Sequence, residues 1–472
     1  MSPTLRSLSV RNYRLFAAGQ LVSLMGTWMQ LTAQDWLVLQ LGGGGLALGG
    51  VLALQFLPVL LFGLYAGVLA DRYDKRRVLL ATQTSAGLVA LTLAILTATG
   101  VVTLPLVYVL AGLLGVVQAF DTPTRQAFIV EMVGRDDLPN AVALNSVTFN
   151  SARIAGPALA GVLIGVVGSA AVFGANAASY LAVLAALLAM HREELRPARP
   201  VLRARGQLRE GLRYVVSRRE LLLPIVLVGF VGALGLNFPV TLALAARYEF
   251  GGSAATYGTL VATLALGSLI GAVLAARRAR PTMRLLVGAA FAFGLLEATT
   301  GVMPTLGSFA VLLVPTGAAI LTFTTAANAS VQMAAGEQMR GRVMALYILV
   351  FLGTTPLGAP LIGWLSGSFG PRVGLIVGGL GSAVAAAVIA WLLRRASRPQ
   401  ISTQPPDASD SAAASRARHA TRRSRAVAAS GSASGVATRC TAPRAALARA
   451  SGPSGAPVGC SATGTGSTPR SS

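Results

Sequence analysis

The residues able to do chemistry in this chain are few, and most sit where chemistry is costly. Arg153 is the only basic residue deep inside an apolar segment, within Asn145-Ser-Val-Thr-Phe-Asn150-Ser-Ala-Arg153-Ile-Ala-Gly156-Pro157-Ala-Leu-Ala-Gly161. Holding an arginine in hydrocarbon costs at least about 2.5 kcal/mol, so its head must face a protein interior or water. Asn145, Asn150 and Arg153 recur near helical spacing and form one polar stripe. Two acids are similarly placed: Asp35, in Thr32-Ala33-Gln34-Asp35-Trp36, and Glu297. A carboxyl group held away from water can take up and release a proton near neutral pH, which suits it to proton coupling. For Asp35 a second reading stands beside this one: a place near the outer interface, where it is simply hydrated. Two further acids, Asp71 and Asp121, end apolar segments and are followed by arginines.

Other chemistries lack their residues. No Gly-x-x-x-x-Gly-Lys-Ser/Thr run is present, so ATP is not handled by that route. His191 and His419 are isolated, and Cys440 and Cys460 have no ligand spacing. Neither a metal, nor a cofactor, nor an enzymatic activity is expected.

The elements that position these residues are membrane spans. The 472 residues are 54% hydrophobic and only 12% charged, with mean hydropathy +0.66. Twelve stretches reach the roughly 20 apolar residues that a bilayer requires: about 13–40, 46–70, 77–98, 104–124, 142–166, 169–191, 222–246, 254–276, 283–304, 307–334, 343–368 and 372–394. The net charge of +23 suggests nucleic acid, but the cations lie in the gaps between spans. Almost all fall in alternate loops, while the opposite loops hold Arg247 and Arg372. Positive loops resist translocation, so both termini are expected in the cytoplasm of a multi-pass plasma-membrane protein. Nucleic acid is not an expected partner.

The fold expected is all-α and polytopic: an N-terminal six-helix bundle (1–191), a linker (192–221), a C-terminal six-helix bundle (222–395) and an Arg/Ala/Ser-rich disordered cytoplasmic tail (396–472). In the linker, Leu208, Leu212, Val215 and Val216 share one helical face, which predicts an amphipathic helix on the membrane surface. The halves look duplicated. At an offset of 202, Gly134, Gly156, Gly161 and Gly165 align with Gly336, Gly358, Gly363 and Gly367. The run Gly42–Gly45 reads as an outer loop.

The stretch Gly67-Val-Leu-Ala-Asp71-Arg72-Tyr-Asp74-Lys75-Arg76-Arg77-Val-Leu79 follows G-x-L-A-D-R-x-x-x-R-x-x-L and resembles the loop between helices 2 and 3 of the major facilitator superfamily, with Asp74 where glycine is usual. The Arg153-x-x-Gly156-Pro157-x-x-x-Gly161 run resembles the fifth-helix motif of drug:proton antiporters. Phe120-Asp-Thr-Pro-Thr-Arg-Gln-Ala-Phe128, Asn140–Asn145, Phe149–Arg153 and Gly341–Leu346 resemble the bacterial branch of enterobactin exporters and secretion-type permeases.

That resemblance implies two bundles rocking around a central site. It implies a cytoplasmic gate drawn from Gly67, Asp71, Arg72, Arg76, Arg77, Asp121, Arg125, Arg340 and Arg342. The plainer alternative is that these charges only set topology, and for Asp121 that it pairs locally with Arg125. Span 1 lines the cavity in this superfamily and span 9 does not, so Asp35, with Arg153, is the expected coupling site. Gln30, Gln34, Asn145, Asn150 and Asn237 are expected to contact substrate. Gly156, Pro157, Gly161, Gly358 and Gly363 are expected to pack helices, spans 5 and 8 among them. The function implied is proton-coupled export, by a monomer, of a small amphipathic siderophore, antibiotic or metabolite. The alternatives are an uptake or uniport permease, and a transport-inactive sensor or scaffold signalling through the tail.

Overall fold

A computed structural model describes residues 3–134, 136–195, 207–277 and 282–396, with the side chains of 3–5, 64, 68, 70, 71, 207, 208, 276 and 396 outside the description. Arg135, most of the linker's first part and the tail expected beyond 396 also lie outside it. Among the described residues the chain is helical throughout, without a strand.

The first half is α1 (Arg11–Gln40), α2 (Gly45–Arg72), α3 (Lys75–Ala98), α4 (Leu104–Val133) and α5 (Leu138–Leu188). The 51 residues of α5 are two expected spans run together. They divide at Gly168, whose φ of +82° is a left-handed conformation that glycine reaches without a Cβ clash. The linker gives α6 (Gln207–Val216). The second half is α7 (Arg219–Leu234), α8 (Phe238–Leu244), α9 (Ala254–Ala276), α10 (Met283–Gly301), α11 (Leu306–Ala334), α12 (Arg340–Gly353), α13 (Thr355–Phe369) and α14 (Pro371–Ala396). Span 7 is therefore broken: α7 stops at Leu234, α8 restarts at Phe238, and a π-helical turn follows at Ala245–Glu249. Span 11 is α12 joined to α13. Ten helical stretches satisfy length and hydropathy for a crossing. Counting α5 twice and adding the more polar α1 recovers twelve.

Local sequence explains the tight turns. Asp74, where the resembling loops carry glycine, is the N-cap of α3, and its Oδ1 accepts from the Arg77 amide at 3.1 Å. That satisfies one of the helix's orphan donors. Ser253 and Thr256 form a reciprocal capping box that starts α9.

Within each half, helices pack around their own core. In the first, α1 and α3 lie on α5, and α2 on α4; in the second, α9 and α10 lie on α11, and α7 and α10 on α14. Two long contacts join the halves, α2 against α13 and α5 against α9. The glycines show why both are close. A Cβ on Gly161 would stand 2.8 Å from the Ala254 carbonyl oxygen. One on Gly258 would overlap the Pro157 carbonyl. Across the other contact, one on Gly363 would overlap the Gly45 carbonyl, and one on Gly49 the Ala359 carbonyl. These contacts are the same contact twice. Gly161 and Pro157 match Gly363 and Ala359 at the offset of 202, while Ala254 and Gly258 match Gly45 and Gly49 at 209. Intra-half packing repeats too: Gly156 faces Trp28 of α1, and Gly358 faces Ala233 of α7. Gly45 is thus no loop residue but the first residue of α2, set into the inter-half seam.

The linker helix α6 is held against the protein. Glu210 pairs with Arg342 at 2.6 Å, the Tyr214 hydroxyl accepts from the Gly336 amide at 3.3 Å, and Val215 is buried. Leu212 and Val216 remain exposed.

Candidate transport cavity and gates

A cavity of about 320 Å³ lies between the halves, walled by α1, α2, α4, α5, α8, α9 and α11. Trp28, Phe56, Phe238 and Leu242 make its walls largely apolar, and Gln55, Gln118 and Ser268 add neutral polar points. Among its lining residues Asp35 is the one acid and Arg153 the one cation. The chain therefore brings its two intramembrane coupling candidates to one chamber, and it leaves Glu297 elsewhere. Glu297 is buried among α7, α10 and α14, beside Gly235 and Gly378.

Asp35 does not meet water freely, since it is 8% exposed. Its Oδ2 accepts a hydrogen bond from the Tyr257 hydroxyl at 2.7 Å. Asp35 is on α1 and Tyr257 on α9, so this bond crosses from one half to the other. It lies toward the end of the bundle that carries Gln40 and Gly45. The glycine seams close the same end, and Arg247 stacks over the Trp36 ring at 5.6 Å there. Tyr257 was not singled out from the sequence. Its role depends on a partner 222 residues away, and a tyrosine in an apolar run carries no local mark of that.

At the opposite end, among the described residues, no hydrogen bond or ion pair joins the halves. Asp121, Arg125, Arg76 and Arg77 are engaged within the first half. Asp121 accepts from Thr82 Oγ1 at 2.9 Å and Gln83 Nε2 at 2.6 Å, and pairs with Arg125 at 3.0 Å. Arg76 is buried and donates to the Leu187 and Leu188 carbonyls at 2.7 and 3.0 Å, pinning α3 to the end of α5. Arg77 is exposed beside Asp74, and Arg72 and Arg340 are exposed. Arg342 is taken by Glu210. Gly67 lies on the last turns of α2, half-buried, and the Asp71 side chain lies outside the description. Sequence reasoning missed the buried Lys75–Glu131 pair at 2.7 Å, which fastens α3 to α4 in this region.

The proposed substrate contacts do not line the cavity. Gln30 is turned toward the second part of α5, where its Oε1 accepts from Asn176 Nδ2 at 2.6 Å. Gln34 is buried away from the chamber. Asn237 donates to the Ala233 and Leu234 carbonyls at 2.8 and 3.3 Å and bridges the break in span 7. Asn145 is half-buried outside the lining. Asn150 donates to the Ser146 carbonyl and stands behind Arg153, whose Nη2 reaches Asn150 Oδ1 at 3.3 Å. Gln30, Asn150 and Asn237 bond within their own half, and the cavity wall is built mainly from aromatics that look like ordinary core residues in sequence.

Among the described residues no group of His, Cys, Asp and Glu is arranged to hold a metal.

Comparison with known proteins agrees with this architecture. The family profile described as "Transmembrane secretion effector" matches residues 2–419. The chain is 28% identical to the enterobactin exporter EntS of Citrobacter koseri, over 73% of this chain and 82% of the exporter. It is 28% identical to the multidrug efflux pump Tap of Mycolicibacterium fortuitum, over 75% and 89%. The staphyloferrin A transporter of Staphylococcus aureus is 31% identical over 38% of this chain, a match that spans less than half of that transporter. Among solved structures, a bacterial homologue of the lysosomal transporter Spinster aligns with a TM-score of 0.67 at 13% identity, over 84% of this chain and 98% of the other.

Proposed function

Because the chain belongs to the major facilitator superfamily, in its transmembrane secretion effector family, it is a membrane transporter and not an enzyme, and we propose that it exports a small amphipathic compound in exchange for protons. The observation that carries the reading is the bond between Asp35 and Tyr257, a cavity acid gripped across the two halves at the closed end. Asp35 is the group that takes a proton when that end opens. Loading or unloading changes what the carboxyl can offer Tyr257, and so biases which end is closed. Rocking of one half on the other then carries substrate and proton in opposite directions.

The arginine distribution supports an orientation with the termini in the cytoplasm of the plasma membrane. In that orientation the Asp35–Tyr257 bond and the glycine seams close the outward end. The largely apolar wall supports an amphipathic cargo. The relatives that export a siderophore or drugs support the outward direction. A single chain suffices, because both halves of the site are in it.

The test is transport in everted vesicles with an acid interior. Siderophores and amphipathic drugs should accumulate with the gradient, and accumulation should collapse with a protonophore and in Asp35→Asn. Asp71→Asn, at the other end, should slow transport without uncoupling it. Accumulation in Asp35→Asn equal to that of the unaltered protein refutes the assignment of Asp35.

A further inference from the structure

The cavity's two charges are not equally available. Asp35 is already held by Tyr257 at 2.7 Å. Arg153 is held by almost nothing. Its Nη2 makes one long bond, 3.3 Å, to Asn150. Its Nε is buried and has no partner. Among the described residues no carboxylate lies within ion-pair distance of it. A guanidinium has five donors in a planar fork, and leaving a buried one unpaired is costly. Packing does not explain it, since Gly156, one turn further on, already settles α5 against Trp28. The terminal nitrogens, with that single long bond between them, belong to a side chain that lines the chamber.

We infer that Arg153 is the anchor for an anionic group of the transported compound, so that the cargo is an amphipathic organic monoanion, carboxylate or similar oxyanion, rather than a neutral or cationic drug. The inference rests on the reading of this cavity as the transport site. It also moves Arg153 from proton coupling, where its sequence setting placed it, to cargo recognition.

The rest of the chamber fits such a cargo. A planar oxyanion accepts two parallel bonds from the guanidinium fork, which a lysine does not supply. The apolar body then lies against Trp28, Phe56 and Phe238, with Gln55 and Gln118 as neutral donors at the edge. One cation matches one negative charge. A second charge on the cargo would meet apolar wall or the Asp35 carboxyl. The volume of about 320 Å³ accommodates a compact aromatic or alicyclic acid.

A matched probe pair tests this without any gradient: naphthoate and its uncharged isostere naphthamide, titrated calorimetrically into the full chain in lipid nanodiscs. Naphthoate should bind at least about tenfold more tightly than naphthamide, the gain expected of a charge-assisted pair. In Arg153→Gln that preference should vanish while naphthamide affinity stays within about twofold, which also shows that the cavity is intact. Arg153→Lys should keep part of the preference, so the result does not hang on one variant folding. Equal binding of the two probes, binding of neither, or a preference that survives in Arg153→Gln overturns the inference. Proton-coupled flux of neutral compounds, with no preference for naphthoate, would overturn it and leave the export reading standing. A preference without gradient-driven flux would do the reverse.

Discussion

Replacing Tyr257 with phenylalanine removes one oxygen atom from the closed end of the transporter and little else. The ring stays, so the packing of α9 stays. What is lost is the bond to Asp35 Oδ2, at 2.7 Å and with both residues buried, together with a long contact to the Pro239 carbonyl at 3.4 Å within the same half. A hydrogen bond to a buried acid contributes about 1 to 3 kcal/mol, and its loss leaves the carboxyl without that partner. The bond exists only while the halves touch at this end, so nearly all of its energy belongs to the closed state. The ratio of closed to open should therefore fall by about 5- to 150-fold. Spin labels report it directly. Val101 and Val302 are exposed residues, 57% and 54%, beyond the ends of α3 and α10 on the closed face, one in each half. The two native cysteines, Cys440 and Cys460, lie in the tail and can be changed to serine first. Pulsed-resonance distances between labels at Val101→Cys and Val302→Cys should lengthen, or split into two populations, in Tyr257→Phe. Asp35→Asn keeps an acceptor oxygen and should shift the distribution less. The double variant should shift it no further than Tyr257→Phe alone, because both substitutions act on the same bond. Distances unchanged in Tyr257→Phe, with protein correctly inserted, would refute the claim that this pair holds the closed end.

Other substitutions separate contacts between the halves from contacts within them. Gly363→Ala places a methyl group on the Gly45 carbonyl, so it should open the labelled end while lowering the melting temperature little. Gly358→Ala places one on the Ala233 carbonyl inside the second half, and should lower the stability by the roughly 1–3 kcal/mol typical of overpacking, read as a lower melting temperature, without favouring the open end. Lys75→Met breaks a buried ion pair whose side chains are 8% and 9% exposed, and thermal unfolding should register about 3–5 kcal/mol. Glu210→Gln removes the partner of Arg342, but Glu210 is 61% exposed, so denaturation should detect less than about 1 kcal/mol. Its effect should appear instead as a faster closing of the inner end, because Arg342 is released.

What the sequence could show follows from the range of the interactions involved. Spans were legible because each is a local run of some 20 apolar residues. Arg153 and Asp35 were legible because a lone charge in such a run is conspicuous. The duplication was legible through Gly156, Gly161, Gly358 and Gly363, because a close helix approach demands a residue without a side chain. The partners of these residues were not legible. Tyr257, Lys75 with Glu131, and Glu210 with Arg342 act through pairs far apart in sequence. The neutral amides misled for a related reason. A polar residue in a span must satisfy its donors somewhere, and in Gln30 and Asn237 it does so within its own half.

The glycine seams also constrain how such a molecule can move. Gly45 and Gly49 against α13, and Gly161 and Gly258 against α5 and α9, form two copies of one contact on either side of the cavity. Each copy brings backbone to backbone, with no side chain to tilt or swing out of the way. A contact of that kind holds or parts; it does not stretch. If only one seam parted, the halves would hinge about the other and the chamber would open sideways between α2 and α13 or between α5 and α9, toward lipid. Opening toward water needs both seams to part together. The bond that couples them to the chamber is the one between Asp35 and Tyr257, which joins the two halves, with Tyr257 next to Gly258 of one seam. Duplication makes the two seams alike, and because opening toward water needs both to part, a single buried acid beside one of them biases both at once.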